Sequence, residues 1–124
     1  MITKIIEKIK SWFFNPIKVS TLSAEEFNAI FCIRNSRWKK TRDVFLESNN
    51  CCAVCGSEKN LAVHHIIPVH IDKSRELDEN NFIVLCQNKT LNCHFTFGHL
   101  LNWTKFNPSV VEDAKVWSSK LNNP

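Results

Sequence analysis

Tyrosine is absent from this 124-residue chain, and there are only two glycines and one methionine. So few glycines exclude a low-complexity or linker-dominated chain. No period recurs along the sequence, which excludes a repeat architecture. No run is long and apolar enough to span a bilayer. The first residues, MITKIIEKIKSWFF, scatter lysines through the apolar positions, and no small-residue cleavage site follows, so the layout of a secretory signal is missing. What is present is an ordinary apolar fraction of 44%, nine phenylalanines, four tryptophans and a formal net charge of +4. The length fits one domain with a short extension, near the size where a metal staple helps folding. The charge leans towards a polyanionic partner without deciding it.

Six cysteines (Cys32, Cys51, Cys52, Cys55, Cys86, Cys93) in a chain without an export signal read as metal ligands before disulfides. Cys52 and Cys55 stand in a C-x2-C turn closed by Gly56, a spacing at which two thiolates reach one zinc. Cys86 and Cys93 form a second pair with six residues between them, and the loop from Gln87 to Asn92 must fold back to close it. Four thiolates leave no position for water, so the site is structural, and zinc there would contribute on the order of 10 kcal/mol to folding. The alternative for Cys86 is a buried apolar cysteine at a strand end. Cys32 reads as core, and Cys51 as a competitor of Cys52.

Periodicity supplies the frame. Residues 2–14 place Ile2, Ile5, Ile6, Ile9, Trp12 and Phe13 on one helical face, ended by Asn15-Pro16. That face packs on the protein or a protein partner, or lies on a membrane surface with its basic residues outward. Residues 17–22 read as a linker. Helices are expected over about 24–33 (capping box Ser23/Glu26), 37–48 (cap Ser36; Trp38, Phe45 and Leu46 inward) and 110–121. The last has a capping box Ser109/Glu112 and buries Val110, Ala114, Trp117 and Leu121. The domain division is 1–16, 17–22 and 23–124. Arg37, Lys39, Lys40 and Arg42 either hold DNA backbone phosphates or form a solvated helix face.

Leu61 to Pro68 reads as a strand carrying His64 and His65, whose side chains point to opposite faces and so suit different tasks, one ligand and one base. The run CAVCG, then VHHIIPV, then EL-x3-N-x4-C, then NCHFTFGH, resembles the HNH endonuclease family over about residues 35–107. The resemblance implies an α+β chain with a zinc-stapled ββα-metal core flanked by helices. It implies His64 and His94 as ligands of a catalytic divalent ion (Mg²⁺, Mn²⁺, Ni²⁺ or Zn²⁺), His65 as general base, and Asn81 as the residue that braces the loop and orients that base. Asn80 takes that place if the register is off by one. His99 is a third ligand, a phosphate contact or a helix C-terminal charge; His70 reads as a loop residue. The implied reaction is metal-dependent hydrolysis of DNA phosphodiesters, with 5′-phosphate and 3′-hydroxyl products. Short members of this type look like phage or bacterial proteins, which implies a cytoplasmic setting, with peripheral membrane association through residues 2–14 left open. The competing class is a non-catalytic zinc-stabilised nucleic-acid-binding or assembly module.

Overall fold

The computed structural model describes Ser23 and residues 34–123. The chain divides into two compact units, residues 1–35 and 36–124. The amphipathic segment 2–14, the linker 17–22, the helix at 24–33 and Cys32 lie outside the described residues.

The second unit is α+β: helix α1 (Trp38–Ser48), strand β1 (Leu61–His65), strand β2 (Phe82–Cys86), a π-helical turn (His94–Gly98) and helix α2 (Val110–Asn122). The strands form a two-stranded antiparallel sheet in which His64 faces Ile83 and His65 faces Phe82. Directly opposed residues share a sheet face, so the register separates the two histidines. His65 and Phe82 meet the rings of α1: Trp38 lies 4.5 Å from His65 and 5.4 Å from Phe82, and Phe45 lies 5.2 Å from Phe82. His64 lies on the other side, where the π-helical turn packs against both strands and α2.

Two strands and two short helices offer little area for a core. The buried cluster therefore mixes sulfur with hydrocarbon: Cys52, Val54, Ile83, Leu85, Cys86, Cys93, Val110 and Ala114. Three of the four knuckle cysteines are thus core residues, so the staple and the hydrophobic centre are one object.

Several local expectations change. Ser36 does not cap α1; its N-cap is Arg37, which makes no side-chain cap. Ser109 is the N-cap of α2, but its hydroxyl makes no capping bond. Asn107 instead holds the turn before the helix: its Oδ1 accepts from the Ser109 amide (3.0 Å), and its Nδ2 donates to Asp113 (2.7 Å) and to the Phe97 carbonyl (3.0 Å). Trp117 and Leu121 were expected inside and are about half exposed, because only the start of α2, at Val110, Val111 and Ala114, packs on the small core.

Candidate metal centres and active site

The first knuckle turns at Gly56, whose φ of 76° lies where a side chain would be strained. The Gly56 amide donates to the Cys52 carbonyl (3.0 Å) and the Cys52 amide to the Ser57 carbonyl (2.8 Å). The long second loop folds back by bonding to the first: Asn60 Nδ2 donates to Asn88 (2.8 Å), Asn88 Nδ2 to Ser57 Oγ (2.9 Å), and the Gln87 amide to the Asn60 carbonyl (2.7 Å). The four sulfurs of Cys52, Cys55, Cys86 and Cys93 consequently lie within 4.8 Å of one another. Cys51 is exposed and stays outside this group.

The donor set fits zinc. Cys55 and Cys86 sulfurs are 3.6 Å apart, too far for a disulfide bond of about 2.05 Å. A tetrahedron of zinc–sulfur bonds near 2.3 Å has edges of roughly 3.8 Å. Without an ion the cluster resists charge: burial first, then neighbouring sulfurs, pushes Cys93 upward, and burial does the same to Cys55. Burial also opposes the Cys86 thiolate, but the Asn88 and Cys93 amides with the Cys55 and Cys93 thiols bring it down to about 7. A cation shared by the sulfurs would offset this cost of charge.

His64, His94 and His99 form the second cluster, their ring nitrogens also within 4.8 Å of one another. His99 follows His94 by five positions, a spacing that an α-helix would splay. The π-helical turn brings them to one side, and its i+5 bond runs from the His99 amide to the His94 carbonyl (3.2 Å). Gly98 makes room for the third ring. A Cβ there would meet His64 Cε1 at 3.0 Å and Nδ1 at 3.1 Å.

His99 is tied at one ring nitrogen and His94 at both. His99 Nδ1 donates to the Lys105 carbonyl (2.7 Å), which leaves the lone pair at Nε2. His94 Nδ1 is 2.8 Å from the Gln87 amide group, and its Nε2 is 3.1 Å from His64 Nδ1. His64 is buried, and its Nε2 has no hydrogen-bond partner. Burial, then the nearby His94, His99 and His65, lowers His64 to about 3; burial and His99 lower His94 to about 4. Both rings are therefore neutral at ordinary pH, the form that ligates metals. A buried, incompletely partnered imidazole beside two others fits a divalent cation, with His64, His94 and His99 to hold it.

On the opposite sheet face, His65 Nε2 lies 2.8 Å from the Glu76 carbonyl. A carbonyl only accepts, so Nε2 carries the hydrogen. The loop that offers this carbonyl is closed by Asn81, which is fully buried. Asn81 Oδ1 accepts from the Ile67 amide (2.8 Å), and its Nδ2 donates to the Ile67 carbonyl (3.0 Å) and, at 3.4 Å, towards that of Arg75. Asn81 thus reaches His65 through the loop. Asn80 is exposed and only closes a turn on Asp78, and His70 is exposed outside both clusters. On α1, Arg37, Lys39 and Lys40 are exposed, while Arg42 pairs with Asp43 at 3.2 Å.

Sequence reading missed Gln87, Gly98 and the Glu76 carbonyl. Gly98, between Phe97 and His99, carried the only visible signal. The HNH endonuclease family model matches residues 52–96, a span that includes all four clustered cysteines, His64, His65, Asn81 and His94. Residues 52–96 are therefore similar to an HNH domain, which points to nuclease-type activity. His99 lies just beyond the matched span. No curated protein and no solved structure matches the chain.

Proposed function

We propose that this chain is a metal-dependent DNA endonuclease that hydrolyses phosphodiester bonds with His65 as general base. The observation that carries the reading is the division of labour across one two-stranded sheet. Three imidazoles cluster on one face, and a fourth, anchored at Nε2, stands on the other.

His64, His94 and His99 would hold a divalent ion; Mg²⁺, Mn²⁺, Ni²⁺ and Zn²⁺ all suit the proposal. Such an ion supplies electrostatic stabilisation to the phosphoryl oxygens and the leaving 3′-oxygen. His65 accepts at Nδ1 the proton of the attacking water, while its Nε2–H remains anchored on Glu76. Asn81 keeps that anchor in place by closing the loop from Ile67 to Asn81. Zinc held by Cys52, Cys55, Cys86 and Cys93 would tie β2 to the first knuckle, giving the histidine-bearing elements a rigid base. Arg37, Lys39 and Lys40 add positive charge for backbone phosphates without reading bases.

Cleavage of supercoiled plasmid with each ion, comparing wild type with His65→Ala, tests the reading. Removal of a general base is expected to slow cleavage by about 10²- to 10⁴-fold with zinc content unchanged. Equal rates would remove His65 from the role. Absence of cleavage by wild type with every ion, while DNA is still bound, would favour the non-catalytic binding module.

A further inference from the structure

The loop that follows the π-helical turn carries three exposed apolar side chains beside the histidine cluster. Trp103 is 56% exposed and Leu101 64%, with Leu100 next to them. Trp103 is no loose end. Its ring lies 4.8 Å from His99, 5.4 Å from His94 and 4.8 Å from Phe95. Leu100 and Leu101 both take positive φ values, 53° and 63°, which leucine adopts only under constraint. The constraint is visible: the Leu101 amide donates to Phe95 (3.0 Å), the Asn102 amide to His99 (3.0 Å), and the Asn107 amide to Gly98 (3.0 Å). A strained, pinned loop that holds an indole in water beside the imidazoles runs against burial.

Charge narrows the occupant. No carboxylate occurs between Glu79 and Glu112, while Lys89 and Lys105 do. This stretch of chain suits a polyanion, and an apolar ring facing a polyanion suits a base rather than a phosphate. The neighbouring base pairs of a duplex cover both faces of each base, whereas an unpaired base has a face to offer.

We infer that Trp103 is a stacking platform for an unpaired DNA base next to the scissile phosphate, so that the site prefers single-stranded or locally melted DNA. The inference rests on the endonuclease reading and adds its substrate class. A stacked base contributes about 1–3 kcal/mol by alanine substitution, which converts to roughly 5- to 150-fold in affinity.

The test measures anisotropy of a labelled oligonucleotide, single-stranded or in duplex, on zinc-loaded full chain with His65→Ala to prevent cleavage. Trp103→Ala is expected to weaken single-strand binding about 5- to 150-fold and duplex binding less than about twofold, with Trp103→Phe close to wild type. With Trp103 intact, an abasic residue beside the cleaved bond should cost about the same, and the two losses should not add. The abasic series needs no altered tryptophan, so a misfolded variant cannot hide the answer. Unchanged single-strand affinity in Trp103→Ala, equal losses on both strand forms, or additive losses would each overturn the inference. The endonuclease reading survives those results if wild type still cuts plasmid; a chain that neither binds nor cuts DNA would overturn both.

Discussion

Replacement of Gly98 by alanine separates packing from ion binding. The backbone of Gly98 is not in the left-handed region, so alanine is conformationally allowed and would gain about 1 kcal/mol of helical propensity. Space opposes it. The new Cβ would stand 3.0 Å from His64 Cε1, 3.1 Å from Nδ1 and 3.3 Å from Nε2, against a comfortable 3.5–4.0 Å. His64 is buried, so the ring must recede by roughly 0.5 Å into packed surroundings, at about 1–3 kcal/mol. The net loss of folding stability is then only about 0–2 kcal/mol. Ligand geometry is less forgiving, since metal bonds tolerate about 0.2 Å. Calorimetric titration of Mn²⁺ or Ni²⁺ into zinc-loaded protein should show affinity reduced by about 10- to 100-fold, with zinc content and circular dichroism intact. Wild-type ion affinity in Gly98→Ala would refute the assignment of His64 to the ion.

Three further perturbations address the rest of the frame. Cys55→Ser should abolish stoichiometric zinc by mass spectrometry and lower the melting temperature by more than any surface substitution, because the sulfurs are part of the core; retained zinc would remove Cys55 from the ligand set. Asn81→Ala removes a fully buried amide with three carbonyl or amide partners, and should cost about 2–4 kcal/mol in urea unfolding while speeding hydrogen exchange at Ile67; a loss below about 0.5 kcal/mol would contradict the bracing role. His64 and His94 are lowered to about 3 and about 4 when folded, against 6.5 for an ordinary histidine. The unfolded chain therefore binds protons first as pH falls, and stability without the divalent ion is full above about 6.5 and declines towards 4. Each group adds a slope of about 1 kcal/mol per pH unit, so His64→Gln should flatten the decline between pH 6.5 and 5; an unaltered slope would show that His64 is not held neutral.

Sequence alone was enough for whatever rests on near neighbours. The C-x2-C turn at Cys52 and Cys55, the helices near 38–48 and 110–122, and the opposed directions of His64 and His65 all follow from short-range spacing, and each appears in the structure. Asn81 was separable from Asn80 only once the chain folded, since burial distinguishes two identical side chains and spacing does not.

The tertiary structure decided what depends on a backbone irregularity or on distant partners. His99 joins His94 because the chain takes a π-helical turn, which no periodicity rule for α-helices anticipates. The cap expected at Ser36 shifted to Arg37, and the capping box at Ser109 makes no side-chain bond. Trp117 and Leu121 stayed half in water because a two-stranded sheet cannot cover a whole helix face. Local chemistry chose the donors. Their convergence on two foci came from hydrogen bonds and packing between segments some thirty residues apart.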